Sequence, residues 1–154
     1  MYNKFYMISK SFLTLFIVFA DQMTKKFALQ YSFKYGIYSL TSFLKILIKW
    51  NYGLSFSVCD SFHTRVLQFV MLSACILLSS MWHKAKIKSE TIAYSLILGG
   101  GIGNLIDRIW HGAVLDFIYI HMKGFSFPVF NIADISITVG IMMIIWNNIM
   151  YKKR

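Results

Sequence analysis

Leu98-Gly99-Gly100-Gly101-Ile102-Gly103-Asn104-Leu105-Ile106-Asp107-Arg108 opens the stretch that decides how this chain is read. Val114-Leu115-Asp116-Phe117 continues it, and Pro128-Val129-Phe130-Asn131-Ile132-Ala133-Asp134 closes it. The chain of 154 residues has six acidic side chains: Asp21, Asp60, Glu90, Asp107, Asp116 and Asp134. Three of them fall within this stretch, each beside a long apolar run. A carboxylate next to hydrocarbon is costly, so an acid placed there is a functional candidate by default.

Outward from this stretch the chain is 57% hydrophobic, 18% aromatic and 14% charged, with a mean hydropathy of +0.58. Soluble domains carry about 25% charged residues, so the expected solvent is a bilayer. The length gives room for about four spans of roughly 20 residues and one modest extramembrane lobe, within a single domain, 1–154. The net charge of +10 is also what a nucleic-acid-binding protein would show. Here, however, the basic residues sit in short flanks between apolar runs, where they hold anionic headgroups and set orientation. Membrane lipids are therefore the expected contact and nucleic acid is not. Two cysteines, Cys59 and Cys75, make no disulfide framework. Cys75 lies in an apolar run and reads as a small core hydrophobe. Leu72-Ser73-Ala74-Cys75 looks like a bacterial lipobox, but its mid-span position favours helix packing.

Four spans are expected, at residues 8–28, 66–82, 91–106 and 131–150. After the apolar run Phe12 to Ala20 comes Asp21-Gln22-Met23-Thr24-Lys25 rather than a small-x-small cleavage site, so the first segment reads as a retained span. Asp21 and Lys25 are an acid-first i,i+4 pair, which limits the cost of burying either charge. Residues 29–64 differ in character: the alternation in Lys45–Asn51 and again in Tyr52–Val58 predicts short strands separated by turn residues. This is the expected extramembrane, β-rich lobe. Gly99 and Gly103, four apart in the third span, predict the close approach of a neighbouring helix.

Four spans put both termini and the 83–90 loop on one face. That face holds Lys4, Lys10, Lys84, Lys86, Lys88, Lys152, Lys153 and Arg154. The other holds Lys25, Lys26, Lys34, Lys45, Lys49, Arg65, Arg108 and Lys123. The totals tie, but the first set is packed more densely against span ends, which places both termini in the cytoplasm and the acidic cluster outside.

If the third and fourth spans are antiparallel neighbours, the chain between them returns Asp116 and Asp134 to the same membrane edge. Two carboxyls sharing one proton can activate a water and polarise a carbonyl, the aspartic-protease arrangement, and would titrate as a pair. Each acid also has a plain structural reading. Asp134 follows a candidate N-cap, Asn131, and suits a first helical turn. Asp107 beside Arg108 makes an ion pair, and Asp116 is a loop acid. Their clustering in so acid-poor a chain favours a site.

Other chemistries fit less well. His63, His83, His111 and His121 show no metal-ligand spacing, so no metal is expected. No serine sits in a G-x-S-x-G elbow. A Ser–Lys arrangement of Lys49 with Ser55 or Ser57 stays open without positive support. The glycine run lacks the Lys-Ser/Thr of a phosphate loop. Two rival classes remain. A proton-coupled transporter predicts acids spread through membrane depth and an internal repeat; the chain shows neither. A structural assembly factor predicts that Asp→Asn changes leave function intact.

Five blocks in order give the chain a family resemblance: Asp21 to Lys25, Asn51-Tyr52-Gly53-Leu54-Ser55-Phe56, Gly99 to Arg108, Gly112 to Phe117, and Phe127 to Asp134. Together they resemble the lipoprotein signal peptidases, the bacterial signal peptidase II family, over most of the chain. The resemblance implies an aspartic endopeptidase of the bacterial cytoplasmic (inner) membrane. Such enzymes cut prolipoproteins before the lipid-modified cysteine of the lipobox. It implies four transmembrane helices with a small β-rich lobe on the outer side, no cofactor, and a monomer acting on lipid-modified prolipoprotein substrates. By motif position, Asp116 and Asp134 are the implied catalytic pair. Asn51, Asn104, Asp107, Arg108 and Asn131 are implied to support the pair or hold substrate, and Asp21 with Lys25 to give structural support.

Overall fold

The computed structural model describes residues 4–53, 61–122 and 124–151. Among these residues four helices and four strands follow one another as α1 (Lys4–Tyr35), β1 (Tyr38–Ser39), β2 (Leu44–Asn51), α2 (Ser61–Lys84), α3 (Lys88–His111), β3 (Val114–Met122), β4 (Phe125–Ser126) and α4 (Ile132–Tyr151).

α3 is the central helix, with α1, α2 and α4 all packed on it. Its small residues set the spacing. A Cβ at Gly99 would lie 2.8 Å from Ile17 Cβ, and one at Gly103 2.6 Å from Asp21 Oδ2, both on α1. The neighbouring Gly100 has the Ala133 carbonyl of α4 against it. The Gly99/Gly103 pair thus meets a helix, as its spacing predicts, and that helix is α1. On the α2 side, Cys75, Trp82, Leu98 and Leu105 form a buried apolar cluster, so Cys75 is indeed a small core hydrophobe.

Residues 64–84 and 132–150 are long and apolar enough to cross a membrane. Their large side chains, among them Phe69, Ile76, Leu77, Met142 and Trp146, point away from the bundle and stay exposed. An apolar surface of that extent calls for hydrocarbon around it. The other two helices carry charges inside the bundle: Lys10, Asp21 and Lys25 of α1 and Asp107 and Arg108 of α3 are all buried. One polar knot ties α1, α2 and α3 together. Trp82 Nε1 donates to Ser95 Oγ at 2.8 Å, and Lys10 Nζ donates to the Trp82 carbonyl at 3.3 Å. The Lys10 ammonium also lies 4.2 Å from the centre of the Trp82 ring.

The sheet has the order β1-β2-β3-β4, antiparallel throughout. It differs from the expected lobe in two ways. First, α1 runs on to Tyr35, so the first part of the 29–64 segment is helix. Secondly, among the described residues that segment supplies β1 and β2, while β3 and β4 come from the connection between α3 and α4. The alternation over Lys45–Asn51 does mark β2. The second expected strand, Tyr52–Val58, is not strand at Tyr52 and Gly53, and its remainder lies outside the described residues.

The path that delivers the acids is short. α3 ends at Gly112, whose φ of 72° suits glycine and whose N–H donates to the Arg108 carbonyl at 3.0 Å. The chain enters β3 directly, and β3 pairs with β2 so that Asp116 faces Lys49 and Val114 faces Asn51. β3 also bridges to Phe130, two residues before α4: Phe117 and Ile118 donate to the Phe130 carbonyl, at 3.0 and 2.8 Å. That bridge carries Asn131 to the side of Asp116.

Candidate active site

α4 begins with a reciprocal cap. Asn131 Oδ1 accepts from the Asp134 N–H at 2.9 Å, and Asp134 Oδ2 accepts from the Asn131 N–H at 3.2 Å, the two halves of a capping box. Asp134 is therefore the first-turn acid that its spacing from Asn131 suggests. It is also more than that, because the amide of the same Asn131 donates to Asp116 Oδ1 at 2.7 Å. One fully buried residue thus joins both carboxylates, Asp116 through its side-chain amide and Asp134 through its main-chain N–H.

Each acid has a second anchor. Asn51 Nδ2, at the end of β2, donates to Asp116 Oδ2 at 3.1 Å. Asn104 Nδ2, on α3, donates to Asp134 Oδ1 at 2.9 Å. Asp116 is 2% exposed. Burial, and after it the charge of nearby Asp134, pushes its carboxyl up to about 6, against the opposing pull of Asn51, Asn131 and the Lys25 cation. Asp134 is half-buried and stands in the wall of an apolar cavity of about 330 Å³ with Phe130 and Ile135. A second apolar cavity, of about 440 Å³, lies by Phe117 between β2 and the end of α1.

Beneath the pair lies an ionic layer. Lys25 Nζ meets Asp21 Oδ2 at 2.7 Å, Asp107 Oδ2 at 2.8 Å and Asn104 Oδ1 at 3.0 Å. Asp21 Oδ1 accepts from the Ala133 N–H of α4 at 2.9 Å. Asp107 Oδ2 accepts from the Leu115 N–H of β3 at 3.0 Å. The two acids of this layer thus fix the segments that carry the other two. Asp107 pairs with Lys25 across the helices, whereas the sequence suggested its neighbour Arg108.

Arg108 is buried, and its Nη1 donates to the Tyr52 carbonyl at 3.4 Å. A Cβ at Gly53 would lie 2.8 Å from its Nη2, so glycine makes room for the guanidinium. Asp116 and Asp107 are its charged neighbours. Among the described residues its Nε has no hydrogen-bond partner. Sequence reasoning missed Gln22, which donates to Asp107 Oδ1 at 3.0 Å and to the Gly103 carbonyl at 3.1 Å. The available signal was an amide beside Asp21, directly after the apolar run Phe12 to Ala20.

The bundle buries three acids and half-buries a fourth, and one asparagine joins two of the four at a sheet–helix junction, an arrangement that suits a hydrolytic enzyme. Residues 13–150 match the family described as signal peptidase (SPase) II. The chain is 35% identical over 159 residues to the lipoprotein signal peptidase of Rickettsia felis, covering 99% of this chain and 79% of that protein. It is 36% identical over 159 residues to the lipoprotein signal peptidase of Rickettsia prowazekii, covering 99% and 80%. A solved structure of a bacterial membrane enzyme, obtained by the in meso method at 2.3 Å resolution, superposes with a TM-score of 0.79 at 28% identity, covering 97% of this chain and 93% of that one. The chain belongs to the signal peptidase II family and is accordingly a protease of lipoprotein processing.

Proposed function

We propose that the chain is an aspartic endopeptidase that cleaves prolipoproteins immediately before the diacylglyceryl-modified cysteine of the lipobox. It acts as a single domain, 1–154, and as a monomer in the bacterial inner membrane. All four helices span, both termini are cytoplasmic, and the sheet and the Asp116–Asp134 pair face the outer side. The pairing of Lys25 with Asp21 and Asp107 supports spans by α1 and α3, because a paired charge costs less in hydrocarbon than a lone one. The density of basic residues at the opposite ends supports the orientation.

The observation that carries the reading is the bridge through Asn131, whose side-chain amide and main-chain N–H hold the two carboxyl groups as one unit. Asp134 sits in the first turn of α4, where the helix dipole favours the anion, and is the base. Asp116, pushed up to about 6, holds the shared proton. Asp134 takes a proton from water as the water oxygen bonds to the scissile carbonyl carbon. Asp116 gives its proton to the carbonyl oxygen. The resulting gem-diol collapses with return of one hydroxyl proton to Asp116. The proton on Asp134 passes to the departing nitrogen as the C–N bond breaks. Asn51 and Asn104 keep the two carboxyls in place through the cycle, and Arg108 supplies positive charge beside Asp116. Acyl chains of the substrate stay in lipid, which fixes the depth of the scissile bond before any peptide contact forms.

The test uses purified protein in lipid with two versions of one precursor, lipidated and unmodified. The expected result is cleavage just before the modified cysteine, read by mass, with the unmodified precursor spared. Equal cleavage of both would refute selection by membrane depth.

A further inference from the structure

Asn104 stands between the ionic layer and the carboxyl pair, and its amide has a single workable orientation. Its Oδ1 accepts from the Lys25 ammonium at 3.0 Å and from Asn131 Nδ2 at 3.2 Å. Its Nδ2 donates to Asp134 Oδ1 at 2.9 Å. Turned over, the amide would set its NH2 against an ammonium and another NH2, and its oxygen against a carboxylate, so every contact would become repulsive. An ammonium has three protons and no acceptor. The three partners of Lys25 are Asp21, Asp107 and Asn104, so its donors are fully used and its position is fixed from both α1 and α3.

We propose that Lys25 is a positioning residue that locks the Asn104 amide with its N–H toward Asp134 and so commits Asp134, rather than Asp116, to the ionised role. The inference rests on the catalytic reading of the pair and adds a second cause of its asymmetry, beside the burial of Asp116. Without the lock, the Asn104 amide could turn its oxygen toward Asp134, and the asymmetry of the pair would rest on the deeper burial of Asp116 alone. With it, Asp134 has an N–H donor that cannot turn away, and a donor to the charged form favours that form. Asp116 has its own donors, but it is the more deeply buried acid and carries the penalty for charge.

The charged groups around the pair are few. α1 contributes Asp21 and Lys25, α3 contributes Asp107 and Arg108, and β2 contributes Lys49, in register with Asp116. Asp21 and Asp107 are both held by Lys25, and Arg108 lies on the Asp116 side. Lys25 also pulls Asp116 toward its anion by direct charge, against the burial of that acid, and it reaches Asp134 through one intervening amide.

The experiment measures the pH dependence of kcat/KM for cleavage of a diacylglyceryl-modified precursor by the full chain in lipid. Wild type, Lys25→Met, Asn104→Ala and the double variant are compared. The acidic limb reports protonation of the base, and activity is lost as pH falls through it. Loss of the locked donor should move that limb upward by about one pH unit, a tenfold change in proton affinity. kcat should fall while KM stays within about twofold. The double variant should shift no further than Asn104→Ala alone, because Lys25 acts through Asn104. An unmoved limb in Lys25→Met, whatever its rate, overturns the proposal, since a purely structural role lowers activity without shifting the limb. Additive shifts overturn the route through Asn104. Should Lys25→Met not fold, Lys25→Gln is read in its place, with the same two outcomes. A wild-type profile with no acidic limb would instead sink the carboxyl-pair reading itself, a separate failure.

Discussion

Replacing Asn131 separates its two duties. It caps α4 through Oδ1 and holds Asp116 through Nδ2, at 2.9 and 2.7 Å. Asn131→Ala loses both. An N-cap contributes about 1 kcal/mol, and a hydrogen bond to a charged group about 1.5–3 kcal/mol. The expected destabilisation is therefore about 2.5–4 kcal/mol, read from thermal or denaturant unfolding of the purified protein. Asp116 keeps Asn51 and Asp134 keeps Asn104, so neither acid is released, but their mutual placement loosens. A misplacement on the order of 1 Å costs about 100-fold in rate, and cleavage by Asn131→Ala should fall by about that factor. Asn131→Ser is the discriminating variant. Its hydroxyl caps the helix and restores about 1 kcal/mol, yet it cannot reach Asp116 as the amide does. Stability should recover while activity stays within a few-fold of the alanine variant. Asn131→Ser that cleaves lipidated precursor at nearly the wild-type rate would refute the bridge as the organiser of the pair.

Three further outcomes follow from the same contacts. Gly103→Ala would press a Cβ to 2.6 Å from Asp21 Oδ2, in a layer that cannot yield without breaking the Lys25 pairings; about 1–3 kcal/mol of stability should be lost, measured by unfolding. Ser95→Ala removes the acceptor of the Trp82 indole and leaves a buried N–H unpaired, costing about 1–3 kcal/mol in unfolding assays. Its kcat/KM below the melting range should equal that of wild type, because the knot lies about 16 Å along α1 from the ionic layer by helical rise. For pH, Asp116 is raised to about 6 in the folded chain from an ordinary value near 3.8. Between those values the folded state binds more protons than the unfolded, so this group's contribution is present at low pH and is lost as pH rises through about 6. The loss is on the order of 2–3 kcal/mol. Asp116→Asn should remove that pH dependence and unfold at a higher temperature than wild type at pH 8.

The parts of this fold that were legible in the sequence are those with local signals. The acids stood out because so few are present, and the Gly99/Gly103 spacing marked a helix contact, since a four-residue interval is a property of one helix. β2 showed itself by alternation because one of its faces is more open than the other. β3 did not. Val114, Leu115, Asp116 and Phe117 are all buried, so no period of two survives to be read, and the strand is defined by pairing with residues far away in sequence. The end of α1 reads too early, at residue 28, because the charges and aromatics beyond it are not those of a span; Tyr31, Phe33 and Tyr35 lie on an exposed helix end. At the site, the candidate polar residues other than Gln22 were nameable, whereas the partners were not. That Asp107 pairs with Lys25 rather than Arg108 depends on the packing of α1 on α3, and that Asn131 caps a helix and grips Asp116 at once depends on the Phe130 bridge; both are tertiary facts.

The most direct measurement is cleavage of a diacylglyceryl-modified prolipoprotein in lipid by wild type, Asp116→Asn and Asp134→Asn, each shown to be folded by its unfolding transition. The account predicts cleavage by wild type and its loss in both variants, because neither remaining carboxyl can serve as base and proton donor together. Cleavage that survives either substitution would contradict the pair and turn attention to Asp107.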